Sequence, residues 1–172
     1  PIREKLVMSL HTCLGWRRNL LSESPEHAQQ VMISSPVLLD EQLQAIRAIG
    51  EPHKTATVSV LWNTADGPEG LEGAVRRICA QAKHAIEEGA RILILSDKGV
   101  DHDQAAVPML LATGAVHHHL RRVGKRMKAS IVCETGECRD VHQMACLIGY
   151  GASAINPYLA FETCREILEK EE

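Results

Sequence analysis

Three loops carry most of the residues able to do chemistry. Ser96-Asp97-Lys98-Gly99, followed by Asp101 and Asp103, offers three carboxylates to a hard cation. The calcium-loop pattern, with its central glycine and closing glutamate, is absent, so this reads as a solvated or interdomain loop. Glu134-Thr135-Gly136-Glu137-Cys138-Arg139-Asp140 mixes glycine, carboxylates and an arginine. Across it, Glu134 and His142 could work as an acid–base pair. The plainer roles are a carboxylate satisfying backbone N–H groups at a helix start and a first-turn helix residue. Asn156-Pro157-Tyr158 is the third loop. Six cysteines raise the question of disulfides or metal, but no C-x-x-C pair occurs. Cys133, Cys138 and Cys146 are separated by four and then seven residues, wider than iron–sulfur spacings. Cys79, Cys146 and Cys164 sit among aliphatics at helical positions and read as buried thiols. His117, His118 and His119 are consecutive, so on a helix they point about 100° apart and cannot share one tetrahedral metal.

These loops need a frame, and the apolar pattern supplies one. Ile92–Leu95, Ser130–Cys133 and Ala152–Ile155 are strand-length runs, each ending in one of the three loops and each followed by helical spacing. Thr57–Leu61 is a β-branched strand, and Trp62–Gly70 a loop punctuated by Gly67-Pro68. From Leu71 to Glu88, apolar residues recur at intervals of three and four as one stripe on a helix that Gly89 ends. Pro108 falls in the first turn of the next helix, which runs into VHHHLRRVGKRMK. A further helix starts near Asp140, and Gly149 is expected to end it with positive φ while Gly151 lets Tyr150 pack. Strand, loop and helix in repetition predict an α/β fold, a parallel sheet with crossover helices. Ligands in such folds collect where strands end and helices begin.

Upstream, residues 1–54 read as a helical and extended wrapping segment and residues 55–172 as the α/β body. The segment opens with a predicted helix, IREKLVMSLHT, and a basic turn, GWRRN, whose Trp16, Arg17 and Arg18 form either an interface patch or a solvated turn. Ser24-Pro25-Glu26 opens a short turn, and Asp40 is expected to cap a helix over Glu41–Ala48. Nothing in this segment carries chemistry on the sequence alone.

Composition narrows the function classes. Of 172 residues, 45% are hydrophobic but only 3% aromatic, which suits aliphatic strands buried on both faces. A net charge of −3 leaves no basic excess for a phosphate backbone, so nucleic acid is excluded as an expected partner. No apolar run approaches the roughly 20 residues of a membrane helix, and no signal peptide is recognisable, giving a cytoplasmic expectation without membrane association.

LSDKGVD, AVPMLLATGAVHHHL, VCETGECRDVH and LIGYGASAINPYLAFET, with REKLVMSLHTCLGWRRNLL and SPVLLDEQLQAI upstream, together resemble the central domain of the glutamate synthase large subunit. An Arg is usual in that family where Lys98 stands, a Ser where Thr135 stands and a His where Gln143 stands. The family domain normally begins well before Pro1, so the chain is expected to be a piece lacking the first segment of the domain. The resemblance implies a linking role in glutamate biosynthesis between a preceding amidotransferase domain and a following FMN-binding domain. Catalytic residues, FMN, an iron–sulfur cluster and the NAD(P)H or ferredoxin supply would all lie in other domains or subunits. An electron-donating subunit or ferredoxin is the further partner implied. An excised piece of this kind is expected to expose apolar faces and to associate.

The last two units are also similar to the end of flavin-binding (β/α)₈ barrels, where glycine-rich loops and a helix N-terminus hold the flavin phosphate. Here the corresponding loops are degenerate at Gly136, Glu137, Arg139, Asn156 and Tyr158. Glu137 brings negative charge to the phosphate position, Asn156 replaces a glycine, and Pro157 removes a donor. The expectation is part of a degenerate (β/α) barrel that binds no cofactor, no metal and holds no catalytic residue. The alternative is a free-standing phosphate-ligand or FMN-binding barrel domain.

Overall fold

The computed structural model describes residues 8–171. In chain order it contains β1 (Thr12–Leu14), β2 (Val31–Ile33), α1 (Asp40–Ala48), β3 (Thr55–Ser59) and β4 (Leu61–Asn63). There follow α2 (Gly67–Glu87), β5 (Ile92–Ser96), β6 (Gln104–Ala106), α3 (Met109–Arg122), β7 (Ser130–Glu134), α4 (Val141–Gly149), β8 (Ala154–Asn156) and α5 (Tyr158–Glu171). The four-stranded sheet has the order β3-β5-β7-β8 and is parallel throughout, as the alternating pattern predicts. It does not close into a barrel.

Because side chains alternate along a strand, one sheet serves two cores. Leu93, Leu95, Ile131, Cys133 and Ile155 face Ile78, Ala82, Val116, Leu120 and Leu147 of α2, α3 and α4. Ile92, Ile94, Val132 and Ala154 face the other way, against Leu14, Leu38, Leu43 and Ile46. That second cover is the antiparallel β1–β2 ribbon and α1. The outer edge of β8 is met by residues 36–38: Leu38 N–H donates to Ile155 O at 2.8 Å, and Ile155 N–H to Pro36 O at 2.7 Å.

Several expected boundaries move. Most of the predicted opening helix, residues 2–7, lies outside the described residues, and the rest is not helical, since Thr12 begins β1. The strand expected over Thr57–Leu61 is β3 with a break at Val60. Its N–H turns to Ser96 O and its carbonyl takes Val107 N–H, so the chain leaves the sheet there and β4 pairs with β6 instead. Trp62–Gly70 is therefore not a loop; Gly67 and Pro68 are the first residues of α2. Proline is preorganised for that place, where its missing N–H is one of the orphans anyway. Asp40 is the first residue of α1 rather than its cap.

The end of α4 corrects the glycine assignment. Gly149 is the last helical residue, without positive φ, and Gly151 takes φ 119°. Gly151 N–H donates to Ile148 O and Ala152 N–H to Leu147 O, both at 3.0 Å, a Schellman-type closure. Tyr150 sets the phase: its ring lies against Gly114 of α3, where a Cβ would stand 3.2 Å from it.

Arg126 ties this turn to the end of α3. It donates to Gly151 O at 2.7 Å, Ala129 O at 2.9 Å and His117 Nδ1 at 3.0 Å. His117 therefore holds its proton on Nε2, and burial, with Arg126, His118 and Arg121 nearby, lowers its pKa below the ordinary 6.5. The unfolded chain takes up that proton at the ordinary value and the folded chain only at lower pH. Stability should thus be complete above pH 6.5 and fall as the pH drops through it. Urea melts between about pH 7 and 5 should show this slope, and His117→Gln should flatten it.

Candidate functional site

The residues singled out as chemically able gather at the C-terminal edge of the sheet, though in a different grouping. Ser96, Glu134 and Asn156 are neighbours in register on β5, β7 and β8. All three are buried and continue the face occupied lower down by Ile92, Ile94, Val132 and Ala154. A polar row thus replaces the apolar one at the strand ends, roofed by α1. Arg47 donates to Glu134 Oε2 at 2.6 Å, and Ser96 Oγ donates to the same oxygen at 2.5 Å. Lys98 Nζ lies 3.4 Å from Glu134 Oε1, an ion pair without hydrogen-bond geometry. Asn156 Nδ2 donates to Leu38 O at 3.0 Å and to Asp40 Oδ1 at 2.9 Å. Arg165 of α5 closes the group on Asp40 Oδ2 at 2.6 Å. Asn156 first and Arg165 after it hold the Asp40 carboxyl below the usual carboxylate range.

Among the described residues, three buried polar atoms in this row have no hydrogen-bond partner: Arg47 Nε, Glu134 Oε1 and Asn156 Oδ1. Leaving such a group unpaired costs about 1–3 kcal/mol. Little in the residue pattern pointed to Arg47 and Asp40, both in a segment read as carrying no chemistry. One signal was there: Arg47 stands four residues after Leu43 and one after Ile46, a charge on the apolar stripe of α1.

The phosphate-like loops are filled from inside. The Asp97 carboxylate, itself buried, accepts the Gly136 N–H at 3.0 Å and the Thr135 hydroxyl at 2.6 Å. The donors of this loop are thus taken up by a carboxylate of the same chain. Tyr158 covers Gly136 from above, its hydroxyl 3.0 Å from where a Cβ would be. Burial, and then the Asp97 charge, push the Tyr158 phenol well above its ordinary pKa. Glu137 points elsewhere: it accepts the Met109 N–H at 2.8 Å and so caps α3, whose first N–H groups attract negative charge. Arg139 is exposed, with its N–H on Gln143 Oε1 at 2.7 Å.

The remaining candidates are dispersed. Glu134 and His142 are not a pair. Glu134 faces α1, whereas His142 lines a cleft of about 280 Å³ on the opposite side with Met109, Glu137, Cys138 and Cys146. Asp101 closes its own turn on the N–H groups of Asp103 and Gln104, and the Asp103 carboxylate lies against the His102 ring. His118 is exposed, while His119 keeps a buried Nε2 without a partner. Burial pushes the Cys133 thiol up to about 12 and that of Cys138 to about 11, so neither is a ready thiolate ligand. Cys79 is buried, but Cys146 is half-buried and Cys164 exposed, against the reading of all three as buried thiols. Among the described residues no group of three or more His, Cys, Asp and Glu side chains is placed to hold a metal ion. No helix there is long and apolar enough to cross a membrane.

Residues 1–172 match the family model described as the glutamate synthase central domain. The chain is 46% identical over 169 residues to the ferredoxin-dependent glutamate synthase, chloroplastic, of Oryza sativa subsp. japonica, covering 96% of this chain and 10% of that one. It is 42% identical over 170 residues to the glutamate synthase [NADPH] large chain of Bacillus subtilis, covering 98% and 11%. With the glutamate synthase [NADH] of Schizosaccharomyces pombe it shares 34% over 173 residues, covering 99% and 8%. The chain therefore spans about a tenth of the length of the curated relatives it matches.

Proposed function

This chain belongs to the glutamate synthase central domain family, and we propose that it is the linking piece of such an enzyme, with no catalytic residue of its own. In this reading the parent makes two glutamates from glutamine and 2-oxoglutarate. Residues 1–172 brace the amidotransferase domain against the FMN-binding domain and line part of the ammonia route between them. The flavin, the iron–sulfur cluster and the electron donor, whether ferredoxin or a reduced nicotinamide, belong to other parts of the parent.

The observation that carries this reading is the Asp97 carboxylate on Gly136 N–H and Thr135 Oγ1. A loop whose donors are spent on the chain's own acid is built for rigidity, and an incoming dianion would meet that buried charge. Ser96, Glu134 and Asn156, facing inward at the same edge, are the polar lining such a route would use.

Titration of the purified chain with FMN, followed by flavin fluorescence, is expected to stay flat into the high micromolar range. Saturable micromolar quenching would overturn the scaffold reading in favour of a flavin-binding barrel domain. Glutamate formation from glutamine and 2-oxoglutarate by the 172-residue chain alone would equally sink it.

A further inference from the structure

At the opposite, N-terminal edge of the sheet, three cations converge on one indole. Arg18 stands 3.4 Å from the centre of the Trp16 ring, Arg91 4.6 Å and Lys128 5.7 Å. They come from three strand ends: Trp16 follows β1, Arg91 precedes β5 and Lys128 precedes β7. The placement is fixed by backbone. Gly15 N–H donates to Ser130 Oγ at 3.0 Å, Arg17 N–H to Met127 O at 2.9 Å, and Arg91 N–H to Lys54 O at 2.7 Å. Trp16, Arg18, Arg91 and Lys128 are all partly exposed.

Charge is not balanced locally. Arg18 pairs with Glu26 at 3.1 Å, but Arg17, Arg91 and Lys128 meet no carboxylate among the described residues. Like charges gathered on one ring repel, and Arg91 and Lys128 there lack the carboxylate partner that Arg18 has. Beside the ring lies a recess of about 130 Å³ lined by Trp16, Arg18, Arg91 and His53 together with Glu26, Gln29 and Glu51. That is smaller than the roughly 300–1,000 Å³ of small-molecule sites. It is suited to a single side chain, with the aromatic and arginine anchors typical of protein interfaces.

We propose that the Trp16–Arg18–Arg91–Lys128 patch is a docking site for an acidic protein segment that sets a Glu or Asp carboxylate against Arg91 and Lys128. The chain's net charge of −3 offers no broad basic surface for a polyphosphate backbone, whereas a peptide can set a single carboxylate against Arg91 and Lys128. This occupant favours protein over nucleic acid. The proposal does not depend on the scaffold role argued above.

The test uses the whole chain carrying Trp62→Phe, so that emission reports Trp16 alone. Hexaglutamate, hexaglutamine and a short single-stranded DNA are titrated separately. Saturable change with hexaglutamate, absent with hexaglutamine and weakening steeply with added salt, is the expected result. Arg91→Gln/Lys128→Gln should weaken it about fivefold or more with an unchanged thermal melt. Salt dependence in the unmutated patch serves as the independent readout if that variant melts early. No response to hexaglutamate, or a response independent of salt, overturns the proposal. DNA binding as tight as hexaglutamate, with the same dependence on Arg91 and Lys128, overturns it in favour of a general polyanion surface.

Discussion

Gly151→Ala is expected to destabilise the chain by about 2–4 kcal/mol. Two costs act together. The residue sits at φ 119°, where an L side chain is strained. Its Cβ would also stand 2.7 Å from His117 Cγ and 3.0 Å from His117 Cβ, a clash with the stiff part of the side chain. His117 cannot simply swing away, because its Nδ1 accepts Arg126, which in turn holds Gly151 O. The strain therefore spreads to the α3–β7 and α4–β8 connections together. Gly149→Ala is the matched control. It lies in α4 with nothing within 4 Å of a Cβ, so alanine should cost nothing and stabilise by up to about 0.5–1 kcal/mol. Denaturant melts of the two variants decide the matter: equal melting, or the reverse order, would mean that α4 ends elsewhere.

The second large effect is an asymmetry between the partners of one ion pair. Arg47→Leu should cost about 3 kcal/mol and Glu134→Leu about 1–2 kcal/mol, although each breaks the same bond. Glu134 is 1% exposed and Arg47 28%. Without Arg47 the carboxylate stays buried, with only Ser96 and the misaligned Lys98 to compensate it. Without Glu134 the guanidinium turns toward water. The double variant should recover much of the loss of Arg47→Leu, because no buried charge is left uncompensated. A double variant less stable than Arg47→Leu, or a costlier Glu134→Leu, would show that the pair is held by something other than desolvation of the carboxylate.

Some of this was legible in the residues as written. β5, β7, α2 and α3 follow from apolar periodicity and from Gly89 and Pro108, because strand and helix phase are local properties of the chain. The strand-end loops carrying polar residues followed from the order of elements alone. The family was legible too, from LSDKGVD, VCETGECRDVH and LIGYGASAINPYLAF, and the match over residues 1–172 bears it out. What the sequence could not say is which charges meet. Arg47 finds Glu134 across 87 residues and Arg165 finds Asp40 across 125, separations at which no spacing rule operates. The choice between Gly149 and Gly151 was likewise not local. Either glycine permits a left-handed turn, but only the later one lets Tyr150 reach Gly114 and Leu147 stay buried. Asp97 behaved in the same way, read as a loop carboxylate and found closing the Gly136 loop. The sequence by itself determined β5, β7, the helices α2 and α3, the place of the strand-end loops and the family. Tertiary packing alone decided the polar partners, because burial makes an unpaired charge expensive and the sheet register dictates which partner is within reach.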